Sequence, residues 1–131
     1  MSSTECPRGF KKINGDFCFA KGTEKKNVYE ATAACRQLGG FLAEPRSDYI
    51  SNTITFFDFQ QQPFYIGLRD MDGYRNFHWQ TDNAALSYTD WEEGQPDNYR
   101  NQQHCVQITK NYYWDDVSCY EVQDYLCQAK L

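Results

Sequence analysis

The chain has 131 residues, a formal net charge of -5 and 40% hydrophobic residues, with 10 Tyr, 9 Phe and 3 Trp among its aromatic and apolar side chains. That is the material of a single domain, 1–131, with one core, and it excludes a disordered or collagen-like chain. The acidic balance has the wrong sign for gathering phosphates by counterion release, so no nucleic-acid partner is expected, and no apolar run is long enough for a membrane span.

The first predicted element is a hairpin, Phe10 to Ile13 and Phe17 to Ala20, around an Asn14-Gly15-Asp16 turn. Asn27 followed by Glu30 has the spacing of a capping box, and Ala31, Ala34, Cys35 and Leu38 continue at helical intervals up to Gly39-Gly40, which predicts a helix over about 28–38. Ser47 is placed to cap a second helix with Ile50, Ile54 and Phe57 on one face, ending before Pro63. Phe64 to Leu68 is an apolar run suited to a buried strand, and Phe77 and Trp79 alternate with polar neighbours.

Residues 80–104 are rich in Asp, Asn, Gln, Gly and Pro, and a loop of that length is a functional candidate ordered by Trp91 and Tyr99. Cys105 to Ile108, with Tyr112 to Trp114 as its partner, and Tyr125 to Ala129 complete an α+β pattern of two early helices and late antiparallel sheets.

Six cysteines, at 6, 18, 35, 105, 119 and 127, form no C-x-x-C pair, so disulfides in an oxidising, secreted setting are a better reading than zinc clamps. Six thiols admit about 15 pairings, and spacing alone does not choose among them. Residues 1–5 have neither the basic start nor the apolar run of a signal peptide, so an exported form is expected to carry a leader ahead of them.

Oxygen-bearing side chains concentrate at Gln95, Asp97, Asn98, Asn101, Gln102 and Gln103, and again at Asp115 and Asp116. Such a set, without thiolate or imidazole, suits Ca²⁺ better than zinc, although the same residue types also solvate long loops. No Ser/His/Asp order, phosphate loop or metalloprotease helix occurs. Asp115-Asp116 would stay ionised beside a cation and leave no general acid, so an enzyme is not expected.

The order Cys6-Pro7, Cys35, Gly40-Phe41-Leu42-Ala43, Tyr65-Ile66-Gly67-Leu68, Trp79, Trp91, Gln95-Pro96-Asp97, Cys105, Trp114-Asp115-Asp116, Cys119 and Cys127 resembles the C-type lectin-like domain over nearly the whole chain. The resemblance implies the C-type lectin fold, two helices with antiparallel sheets and a long calcium- and sugar-binding loop. It implies three disulfides, Cys6 with Cys18, Cys35 with Cys127 and Cys105 with Cys119. It also implies a calcium ion held by Gln95, Asp97, Gln103, Asp115 and Asp116, with Pro96 in the cis form.

Gln-Pro-Asp is the family's galactose-type tripeptide, so galactose or N-acetylgalactosamine glycans are the implied ligands. The implied sugar contacts are Gln95, Asp97, Gln103 and Asp115, with Tyr99 against the apolar face of the ring. Relatives usually have Glu in place of Gln103 and Asn in place of Asp115. This reciprocal exchange keeps the carboxylate count and leaves mannose-type or broad specificity as an alternative. Asp70 matches a secondary calcium position, but Asn98 and Gln103 stand at its other places, with Asp72 as a substitute. His78 and His104 are expected to be surface or packing histidines.

The remaining alternatives are a protein-binding relative without sugar activity and type II antifreeze-like ice binding. Single-site affinity near the millimolar range, about -4 kcal/mol, implies a non-covalent homo-oligomer for avidity.

Overall fold

The computed structural model describes residues 5–13, 17–57, 59–70, 76–97 and 103–130. The expected Asn14-Gly15-Asp16 turn, Asp72, and the positions Asn98, Tyr99, Asn101 and Gln102 lie outside the described residues. The elements run β1 (Lys11–Ile13), β2 (Phe17–Lys21), α1 (Val28–Gln37), β3 (Phe41–Leu42), α2 (Asp48–Ile54), β4 (Phe64–Asp70), β5 (Phe77–Trp79), β6 (Cys105–Ile108), β7 (Trp114–Val117) and β8 (Asp124–Lys130).

Both helices begin where the capping residues predict. The Asn27 side chain accepts from the Glu30 N–H at 2.9 Å while the Asn27 N–H donates to Glu30 Oε1 at 3.3 Å, closing the capping box that starts α1. Ser47 Oγ accepts from the Ile50 N–H at the start of α2. This helix stops at Ile54, and Phe57 reaches the core from the turn after it, its N–H donating to the Ile54 carbonyl.

The strands form one sheet in the order β1-β2-β8-β4-β6-β7, with β3 paired to β8 and β5 to β4. All these pairings are antiparallel except that of β4 with β8, where Phe64 and Tyr65 lie parallel to Asp124 and Tyr125. The sheet is therefore mixed. Phe64 to Leu68 of β4 reads as an unbroken apolar run because both of its faces are covered. Phe64, Ile66 and Leu68 join a cluster with Phe57, Phe77, Trp79 and Trp114, whereas Tyr65 faces a second cluster with Val28, Ala31, Leu42 and Val117.

The partner of β6 is Trp114–Val117, in place of the expected Tyr112 to Trp114. Tyr112 sits at φ 65 in the connecting turn, and the Tyr112 N–H donates to the Thr109 carbonyl, so the hairpin turns there and the strand starts two residues later. The α+β architecture with two helices is otherwise as expected, and so are the disulfides Cys6–Cys18, Cys35–Cys127 and Cys105–Cys119, with no cysteine left over.

Candidate functional site

The long loop is pinned to β7 by backbone and rings. The Trp114 N–H donates to the Asp90 carbonyl and the Glu92 N–H to the Trp114 carbonyl, both at 2.8 Å. The Trp91 and Trp114 rings meet edge to face at 5.4 Å. Trp91 thus anchors residues 90–92 beside the strand that carries Asp115 and Asp116.

From that anchor the chain turns through Gly94, at φ 85, to the Gln95–Pro96 peptide, which is cis as the resemblance implies. Asp97 follows, and its N–H donates to Asp116 Oδ1 at 3.1 Å. Asp116 is fully buried, and this bond supplies one of the donors a buried carboxylate requires. Gln95, Asp97 and Asp116 are therefore neighbours in space.

Asp115 joins the group through its electrostatic field. Burial pushes its carboxyl above the ordinary aspartate range; a hydrogen bond from Gln107 opposes this, and the charges of Asp116, Asp97 and Glu92 push it further up. Asp115 Oδ2 accepts from Gln107 Nε2 at 2.9 Å, and Gln107 Oε1 in turn accepts from Gln123 Nε2 at 2.9 Å. Little in the sequence marks this amide chain. Its one local signal is a polar residue at 107 in an otherwise apolar Cys-Val-Gln-Ile strand. Gln103 lies two residues before β6 and is half-buried.

Asp70 is turned to another partner. Its buried carboxylate lies 3.2 Å from His104 Nδ1, and its N–H donates to the His104 carbonyl at 2.8 Å, which makes His104 a packing histidine. His78 Nδ1 lies 2.9 Å from the Asn76 carbonyl.

The oxygen-only donor set of Gln95, Asp97, Asp115 and Asp116 is of the kind that suits a hard cation. Among the described residues no three His, Cys, Asp or Glu groups converge on one point, so a cation shared by Asp97, Asp115 and Asp116 would have to draw them together, with amide oxygens completing its sphere. Gln95 Oε1 meets that need, being buried and without a hydrogen-bond partner. A buried acceptor left without a donor costs about 1–3 kcal/mol, which a cation would relieve. Trp114 Nε1 is likewise buried and unpartnered, but as a donor it offers nothing to a cation.

The chain matches the Lectin C-type domain family over residues 24–129 and belongs to that family, whose members are non-enzymatic binding proteins. A "C-type lectin galactose-binding isoform" from Hoplocephalus stephensii is 32% identical over 139 residues, covering 95% of this chain and 84% of the relative. Among solved structures, the carbohydrate-recognition domain of mouse scavenger receptor C-type lectin superposes with a TM-score of 0.88 at 24% identity, covering 96% of this chain and 98% of that one. The cow carbohydrate-recognition domain of CD23, solved in the presence of a GlcNAc2Man3 oligosaccharide, gives 0.87 at 27% identity and 98% coverage of both chains.

Proposed function

We propose that the whole chain, 1–131, is one secreted carbohydrate-recognition domain that binds terminal galactose or N-acetylgalactosamine with the help of Ca²⁺. The observation that carries this reading is the buried, unpartnered Oε1 of Gln95 beside the Asp97–Asp116 link. The galactose-binding name of a 32% identical relative supports the choice of sugar. The three disulfides support an oxidising, extracellular setting.

Gln95, Asp97, Gln103, Asp115 and Asp116 would hold the cation, which when bound supplies a Lewis-acidic centre for two vicinal sugar hydroxyls. The chain's own part is to orient those hydroxyls. The Gln95 and Gln103 amides each present one donor and one acceptor group, while the ionised Asp97 and Asp115 present acceptors only. Gln107 occupies Oδ2 of Asp115, so the other oxygen of that carboxylate is the one left for ion or hydroxyl. Tyr99 would stack on the apolar face of the sugar.

Every cysteine is paired within the chain, so the homo-oligomer needed for avidity would be non-covalent. The test is retention on galactose and mannose resins in parallel, loaded with calcium and eluted with EDTA. Release from galactose alone is the expected result. Retention on mannose would assign the selectivity to the Gln103 and Asp115 exchange, and retention on neither would replace this reading with a protein-binding domain.

A further inference from the structure

A second group of side chains with ligand-binding character lies around the start of α1, built on elements that the calcium-loop reading does not use. Tyr29, in the first turn of α1, is 44% exposed, and Tyr120, just after Cys119, is 73% exposed. Their rings meet at 5.6 Å, tilted by 45°. Arg69, on β4, lies with its guanidinium carbon 5.1 Å from the Tyr29 ring centre, and its Nη2 donates to the Tyr29 hydroxyl at 3.4 Å. Burial and a hydrogen bond with Tyr120 push the Tyr29 hydroxyl up, and the Arg69 charge draws it down, so the three polar tips act on one another.

The arrangement is held rigidly. The Val28 N–H donates to the Cys119 carbonyl at 3.1 Å, which ties the start of α1 to the segment carrying Tyr120. The Tyr120 N–H donates to Ser118 Oγ, Cys119 is bonded to Cys105, and Cys105 is the cross-strand neighbour of Arg69. No side chain here depends on a long loop for its position.

The chemistry of the three tips is one-sided. A guanidinium only donates, and of the two phenol hydroxyls, which share one hydrogen bond between them, the other proton can turn outward. Among the described residues no carboxylate forms an ion pair with Arg69. Arginine beside exposed aromatic faces suits a ligand with a planar or apolar surface and an anionic oxygen group, because the rings take the surface and the fork takes the anion. We propose that Tyr29, Arg69 and Tyr120 form a calcium-independent subsite for an acidic sugar residue, a pyranose carrying a carboxylate or a sulfate ester. The rings pack on the C–H face of the pyranose, and the Arg69 guanidinium pairs with the anionic group.

The test is an NMR titration of the full chain in EDTA, which silences any calcium site and separates this inference from the preceding one. Glucuronic acid and galactose 6-sulfate are the probes, with galactose and inorganic sulfate as controls. Either or both acidic sugars are expected to move the Tyr29 and Tyr120 ring signals and the Arg69 Nε signal, and which of them does so separates carboxylate from sulfate. Arg69→Gln is expected to weaken binding by about tenfold or more and Tyr120→Ala by roughly fivefold, with unchanged circular dichroism. Failure of both acidic sugars to shift these signals, equal shifts with galactose or with sulfate alone, or full binding by Arg69→Gln would each overturn the assignment. So would self-association in sedimentation that Tyr120→Ala abolishes, which would give the patch to a second copy of the chain.

Discussion

Asp97 and Asp116 are joined through the backbone of one and the side chain of the other: the Asp97 N–H donates to Asp116 Oδ1 across 3.1 Å, from the exposed loop to a fully buried carboxylate on β7. The asymmetry of this link separates two substitutions that would otherwise look equivalent. Asp97→Ala keeps the N–H and removes only a carboxylate, whereas Asp116→Ala removes both a carboxylate and the acceptor that holds the loop. Each is expected to weaken calcium affinity by about tenfold or more, that is about 1.4 kcal/mol, in isothermal titration. In urea unfolding Asp116→Ala should additionally cost about 1–3 kcal/mol, while Asp97→Ala should stay within about 0.5 kcal/mol of wild type. Normal sugar retention by both variants would remove the pair from the site.

The disulfides should differ in worth according to the loops they close. Cys35–Cys127 spans 92 residues and Cys6–Cys18 spans 12. The chain-entropy model gives about 4–5 kcal/mol for the first and about 3 kcal/mol for the second. Replacing each pair by alanines and comparing guanidinium midpoints should reproduce that order, and a larger loss from the Cys6–Cys18 pair would contradict it.

Gly67 is a site where β4 has no room for a side chain. A Cβ there would stand 2.8 Å from the Leu42 carbonyl oxygen, while the Gly67 N–H donates to the Ala43 carbonyl at 2.8 Å. The contact is with backbone on both counts, so nothing nearby swings away cheaply. Gly67→Ala is expected to cost about 2 kcal/mol or more in thermal unfolding. A melting temperature equal to wild type would show that β4 and the segment after β3 separate more easily than this packing implies.

Asp90 offers a pH-dependent contribution to stability. Burial pushes its carboxyl above the ordinary aspartate value, the Ser51 hydroxyl opposes the shift, and the charge of Asp48 adds to it. The folded chain then holds this proton more tightly than the unfolded chain does. Stability therefore falls as pH rises from the unfolded aspartate value, about 3.9, through the higher folded value, and the cost persists above it. Asp90→Asn should flatten that part of the stability profile measured by urea unfolding at successive pH values, leaving the Trp114 bond to the Asp90 carbonyl intact. An unchanged slope would mean that another group titrates there.

What the sequence reveals and what it hides divide along the range of the interaction. The start of α1 was legible because Asn27 and Glu30 satisfy one another three residues apart, and the same holds for Ser47 and Ile50. The start of β7 was misplaced because Tyr112 and Tyr113 have strand-like chemistry, and the backbone at 112 turns left-handed all the same. β3 is two residues long, too short for any periodicity to register, and the parallel pairing of β4 with β8 leaves no mark on the alternation of either strand. At the candidate site, motif order implies Gln95, Asp97, Gln103, Asp115 and Asp116 as the proposed ligands, and it also implies the cis Gln95–Pro96 peptide that the structure contains. The link from Gln123 through Gln107 to Asp115 is not readable there, since it depends on a ladder register that puts Gln107 opposite Asp115.

The place of β8 within the sheet bears on how the chain comes to be folded at all. β8 contains Cys127 and lies between β2 and β4, so among the described residues the backbone ladder passes from the first hairpin to the later strands through residues 124–130. A ribosome delivers those residues after everything they connect. Until they emerge, Cys35 has no partner, β2 and β4 have open edges, and the nascent polypeptide carries aromatic surface that nothing yet covers. Folding of this domain should accordingly complete only once β8 has emerged, dominated by contacts distant along the chain, with the Cys35–Cys127 oxidation among its last events and chaperone protection needed up to that point.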